Sequence, residues 1–151
     1  MQLNKQTDYA IRVLIYLASA PRGKLSTVAQ MADALGISAN NLAKIVNRFA
    51  AQGLITTVRG RHGGMMINPE TLECRLGDLV SHFEPDTELA HCEQPVCILA
   101  PQCRWREILA DSQLSMRQHM NQYRLHDLLN DPVWLKQVLQ FEPQSSFDSL
   151  T

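Results

Sequence analysis

"MADALGISANNLAKIVNRFAAQ", Met31 to Gln52, is the stretch from which the rest of the chain is read. Gly36 supplies a helix stop and Ser38 a new cap two residues later. The segment after Ser38 places Leu42, Ile45, Val46 and Phe49 on one helical face and Asn40, Asn41, Lys44, Asn47 and Arg48 on the other. Upstream, Thr27 and Gln30 have the spacing of a capping box for "VAQMADAL". Two helices joined by Gly-Ile-Ser, the second with an Asn/Lys/Arg face, form the helix-turn-helix pattern. Asparagine reads adenine edges, and arginine or lysine reads guanine or phosphate. The same face would also serve as the solvated side of an ordinary αα-hairpin, so the flanking sequence has to decide.

Downstream, "LITTVRGRHGGMMI", Leu54 to Ile67, reads as a strand, a Gly-rich turn carrying Arg59, Arg61 and His62, and a second strand. A basic hairpin directly after a helix-turn-helix is a wing, able to reach phosphates or a minor groove. Upstream, "DYAIRVLIYLASA" predicts a helix capped by Thr7, with Asp8 in its first turn, apolar nearly all round and therefore buried. Pro21 and Gly23 end it. The charge distribution agrees. Residues 1–66 hold eight basic residues against two acidic ones, a net of +6, while the remainder holds six against thirteen, a net of −7. A basic half joined to an acidic one suits a polyanion-binding module, although uneven surface charge alone is common. The expected contacts to double-stranded operator DNA are Thr27, Ser38, Asn40, Asn41, Lys44, Asn47, Arg48, Arg59, Arg61 and His62.

After Pro69 the composition changes. "RLGDLVSHF" predicts a short helix stopped before Pro85, followed by a proline-interrupted loop and a long helix from Cys103 to about Tyr123. In that helix Trp105, Leu109, Ser112, Met116, His119 and Tyr123 step by alternating fours and threes, a coiled-coil-like seam. The seam suits either packing on the chain's own core or a homodimer, and a two-fold DNA site favours the dimer. Asp131-Pro132 opens a last short helix. The expected fold class is mainly α with a small β-hairpin. It divides into a winged helix-turn-helix domain (1–68), a connecting helix and three-Cys loop (69–103), a dimerisation helix with a C-terminal helix (104–142), and a frayed tail (143–151).

The loop "HCEQPVCILAPQC", His91 to Cys103, carries three of the chain's four cysteines as C-x4-C-x5-C. No secretory signal and no membrane-length apolar run is seen. The expected location is therefore cytoplasmic, where clustered thiols are metal-binding or redox-active more often than disulfide-bonded. Zinc motifs usually contain a tight C-x2-C pair, absent here, so the spacing fits an iron–sulfur cluster better. Three thiolates leave one ligand unassigned. Cys74, beside the start of a helix, reads as an ordinary buried thiol. Two other readings are a zinc-stabilised interaction module and a thiol-dependent enzyme using Cys92 or Cys97 as nucleophile. No oxyanion loop or cofactor fingerprint accompanies the second.

Taken in order, "TDYAIRVLIYLA", the helix-turn-helix, "VRGRHGG", and "RLGDLV" followed by the three-Cys loop resemble the IscR/NsrR-like family of winged-helix iron–sulfur repressors over roughly residues 1–130. The C-x4-C-x5-C spacing is similar to that of its nitric-oxide-sensing members. Other members have a wider first gap and a histidine three residues after the third cysteine, where this chain has Arg106. The resemblance implies a non-enzymatic repressor holding a cluster, [4Fe-4S] before [2Fe-2S], through Cys92, Cys97 and Cys103. It implies that Asp8 of the partner subunit completes the ligand set. It also implies that nitrosylation of the cluster releases DNA. A sensor of iron–sulfur supply or redox state is the alternative within the family.

Overall fold

The computed structural model describes residues 3–84, 89–90, 92–93 and 95–141. Its order is α1 (Lys5–Ser19), α2 (Val28–Leu35), α3 (Ala39–Ala51), β1 (Ile55–Val58), β2 (Gly64–Ile67), α4 (Leu76–Ser81), α5 (Arg104–Met120) and α6 (Pro132–Val138). Short 3-10 turns occupy Pro69–Glu73, Ala100–Gln102 and Leu125–Leu129. The strands form one antiparallel hairpin, with Ile55 opposite Ile67 and Val58 opposite Gly64. The predicted stop at Pro85, His91, and the expected tail 143–151 lie outside the described residues.

The helix-turn-helix forms as its punctuation requires. Thr27 and Gln30 make the reciprocal capping box on α2, and Ser38 Oγ accepts the Asn41 N–H at the start of α3. Gly36 caps α2 with φ +64°, the left-handed conformation that glycine adopts without a Cβ penalty. Leu42, Ile45, Val46 and Phe49 are all buried, in a core shared with Val13, Leu14 and Leu17 of α1, Met31 of α2, and Leu125. Phe49 meets Phe83 edge to face at 5.4 Å, an arrangement worth about 0.5–1.5 kcal/mol beyond area burial. The hairpin is tied to this body by a bridge between Ser26 and Met65, with N···O distances of 2.9 and 2.8 Å.

Two expectations need correction. Asn4, not Thr7, caps α1: its side-chain oxygen accepts the Gln6 N–H at 2.9 Å. Asparagine caps at least as well as threonine. Thr7 instead lies inside the helix, 0% exposed, with its hydroxyl spent on Glu84. Asp8 remains in the first turn. The long helix also ends sooner than its seam, at Met120 rather than Tyr123. Asn121 is turned toward α4, where its side-chain oxygen accepts the Asp78 N–H at 3.0 Å, and the Tyr123 carbonyl accepts the Leu76 N–H. This close crossing depends on Gly77, because a Cβ there would stand 2.4 Å from Asn121 Oδ1 and 2.5 Å from the Arg117 carbonyl.

Candidate nucleic-acid interface and thiol loop

The polar face of α3 stands opposite the core. Ser38, Asn40, Lys44, Asn47 and Arg48 are exposed, and Asn41 and Thr27 are half-buried. Two of these side chains are held by other elements. Gln6 Nε2 of α1 donates to Asn41 Oδ1 at 3.3 Å. The Arg48 guanidinium lies over the Phe83 ring at 5.0 Å, a cation–π contact. The sequence placed Arg48 on the open face; the structure leaves it exposed but anchors it to the end of the α4 segment. At the wing, Arg59, Arg61 and His62 are all exposed, and the Gly63 N–H closes the turn on the Gly60 carbonyl at 3.0 Å. α3 and the wing thus present amide and cationic groups with apolar packing behind them, which suits nucleic acid.

The thiol loop leaves the α4 segment at Glu84 and re-enters regular structure at Cys103, the residue preceding α5. Cys92, Cys97 and Cys103 are half-buried free thiols. The Cys97 N–H donates to the Cys92 carbonyl at 3.0 Å, and the Ala100 N–H to the Cys97 carbonyl at 3.1 Å. Val96, Ile98 and Leu99 are 81%, 91% and 65% exposed, unusual for aliphatic side chains. α5 buries none of its residues; Trp105, Ile108, Leu114 and Met116 are all exposed.

Cys74 is separate from the loop. It packs at the edge of the core, and its Sγ approaches the Glu70 carbonyl at 3.8 Å. Burial first, and then the Asp78 charge, push its thiol pKa above the ordinary value, which disfavours the thiolate. Asp8 is exposed and paired with Arg12 at 2.7 Å. Among the described residues, no three His, Cys, Asp or Glu side chains of one chain converge as a metal site. The donor set itself suits iron: three unpaired thiols on an irregular segment, with a surface carboxylate elsewhere.

Sequence reasoning missed one residue at this site. Glu84 Oε1 accepts both the Asn4 N–H at 2.8 Å and the Thr7 hydroxyl at 2.5 Å, joining the loop's entry to the start of α1. No local pattern signals a contact between residues so far apart in the chain.

A helix-turn-helix followed by a basic antiparallel wing defines a winged-helix transcriptional regulator. The chain belongs to the Rrf2 family, whose model, described as an iron-dependent transcriptional regulator, matches residues 3–131. The HTH-type transcriptional regulator NsrR of Shouchella clausii (strain KSM-K16) is 39% identical over 145 residues, 94% of this chain and 97% of that protein. Two solved structures share the fold. CymR, the global cysteine regulator of B. subtilis, has a TM-score of 0.64 at 20% identity, over 86% of this chain and 97% of its own. T. potens IscR has a TM-score of 0.63 at 18% identity, over 87% and 88%. No described helix is long and apolar enough to cross a membrane.

Proposed function

We propose that this regulator is a cytoplasmic homodimeric repressor that senses nitric oxide. Residues 1–68 read operator DNA, 69–103 carry the sensor, and 104–142 join the subunits. The observation that carries the reading is the bond from Glu84, at the entry of a loop bearing three free thiols, to the first turn of α1, beside the DNA-reading body. Similarity to an NsrR over nearly the whole chain supports the same reading.

Cys92, Cys97 and Cys103 would hold an iron–sulfur cluster, [4Fe-4S] in preference to [2Fe-2S], with Asp8 of the second subunit as fourth ligand. A cluster with one oxygen ligand supplies an iron site open to nitric oxide. The uncovered apolar side of α5 agrees with a second subunit lying along it. On the DNA side, Arg59, Arg61 and His62 take phosphates or a minor groove, while Ser38, Asn40, Asn41, Lys44, Asn47 and Arg48 face the major groove, with Thr27 at the start of α2. Membership in a family of transcriptional regulators speaks against turnover at Cys92 or Cys97.

The test is an absorbance-monitored nitric oxide titration of anaerobic protein, with operator gel shifts on the same samples. Bleaching of the cluster in step with DNA release is expected. DNA affinity indifferent to nitric oxide would point to iron–sulfur supply or redox state as the signal. Mössbauer spectra of the same preparation distinguish the cluster types.

A further inference from the structure

Arg48 is the basic residue in the last turn of α3. Its guanidinium lies 5.0 Å from the centre of the Phe83 ring and, among the described residues, has no ion-pair partner. A cation–π contact gives the guanidinium no hydrogen-bond acceptor, so its N–H donors remain for a phosphate, which can take two of them at once. The N-terminal residues of a recognition helix are those that reach base edges. Arg48, at the other end, is placed for the phosphate backbone that borders the groove. The ring beneath it is fixed. Phe83 is 7% exposed, meets Phe49 edge to face at 5.4 Å, and donates its N–H to the Val80 carbonyl at 2.9 Å. The next residue, Glu84, is tied to Asn4 and Thr7 at the start of α1. A free arginine loses rotamer freedom when it grips a phosphate, and one already held over a fixed ring loses less.

We propose that Phe83 is a positioning residue for DNA binding, a platform that pre-orients Arg48 toward a backbone phosphate. The inference rests on the reading of α3 as the recognition helix. Phe83 does not touch DNA in this scheme. Its effect passes through Arg48, and it makes the end of the α4 segment, where the thiol loop departs, a support of the DNA-reading face.

The experiment measures affinity and its salt dependence for the anaerobically purified full-length protein, on an operator that the wild type selects from a randomised duplex library. Arg48→Ala should lose a phosphate contact and reduce the slope of log affinity against log salt by about one. Phe83→Leu removes the ring and keeps an apolar side chain. It should weaken binding about twofold to tenfold, the effect of leaving one side chain unordered before binding. Its salt slope should stay that of the wild type, since the charge still reaches the phosphate. In an Arg48→Ala background the same change should leave affinity where it was. Phe83→Leu also disturbs the packing on Phe49, so a second probe keeps the shape. Trifluorinated phenylalanine incorporated at position 83 withdraws charge from the ring face. It should weaken binding too, again only while Arg48 is present. Arg48→Ala with wild-type affinity and slope overturns the proposal, because no contact is then left to position. So does a fluorinated or Phe83→Leu protein that binds as the wild type does. An effect that persists undiminished without Arg48 overturns it as well, and marks a merely structural role. A library from which the wild type enriches nothing overturns the DNA-reading role of α3 itself, an outcome distinct from the others.

Discussion

Thr7 donates its hydroxyl proton to Glu84 Oε1 at 2.5 Å, across 77 residues of sequence. Thr7 is wholly buried, and the same carboxylate oxygen takes the Asn4 N–H ahead of α1. The pair fastens the point where the thiol loop departs to the first turn of the helix carrying Asp8. Thr7→Val keeps the shape and removes the donor. It should lower stability by about 1–2 kcal/mol, since a partly buried carboxylate loses one of its two partners. Hydrogen exchange should quicken at the start of α1 and not in the middle of α5. A Thr7→Val protein that melts with the wild type and protects α1 equally well would show that the contact stabilises nothing.

The wing makes a different kind of prediction, about salt. Arg59 and Arg61 flank Gly60 on the exposed turn, and among the described residues neither is ion-paired. If each neutralises one phosphate, Arg59→Ala and Arg61→Ala should each reduce the slope of log affinity against log salt by about one. Affinity should fall similarly for specific and non-specific DNA. Unchanged slopes in both variants would remove the wing from the interface.

Asp78 supplies the pH dependence of the α4–α5 crossing. Its carboxyl is held below the usual carboxylate range, chiefly by the Asn121 side-chain N–H, against an opposing effect of burial, and further by Arg117 and Arg75. A carboxylate depressed in the folded state stabilises above its unfolded pKa, near 3.9, and ceases to do so as pH falls through the folded value. Asp78→Asn should therefore be less stable than wild type at pH 7, with the difference shrinking below about pH 4. Urea unfolding at pH 7 and pH 3 measures it. A pH-independent difference would mean that the side chain's shape, not its charge, matters at the crossing.

The helix-turn-helix was legible because its signals are local. Thr27 with Gln30, Gly36, Ser38 and the spacing of Leu42, Ile45, Val46 and Phe49 all act within a turn or two of themselves. The wing was legible for the same reason. Thr7 misled because a threonine before an acidic first turn is a good cap, and only tertiary contact with Glu84 shows that its hydroxyl is used elsewhere. The end of α5 misled likewise: the seam runs on to Tyr123, but Asn121 is captured by Asp78 of α4. The candidate metal site was legible only as donors. Spacing points to Cys92, Cys97 and Cys103 as donors, but no sequence period marks a ligand that another subunit would give, and Asp8 is implied by the family resemblance alone.

The proposed ligation by Asp8 of a second subunit gives the sharpest prediction. Cys92→Ala, Cys97→Ala and Cys103→Ala should each abolish cluster retention, since three thiolates leave no spare. Cys74→Ala should leave the cluster spectrum unchanged, because that thiol is held at the core edge with its thiolate disfavoured. Asp8→Ala should assemble a more labile cluster with an altered nitric oxide response. It also frees Arg12 from its 2.7 Å ion pair, so Arg12→Ala is the control for that loss. A mixed dimer then separates the geometries. One subunit carries Asp8→Ala with intact thiols, and the other carries Cys97→Ala with an intact Asp8. If the carboxylate crosses between subunits, the surviving Asp8 meets the surviving three thiols, and the dimer holds one fully ligated cluster with the wild-type spectrum. If the carboxylate acts within its own chain, no subunit has a full set, and the mixed dimer shows only the labile form. Loss of the cluster in Cys74→Ala, with wild-type behaviour in Asp8→Ala, would instead make Cys74 the fourth ligand.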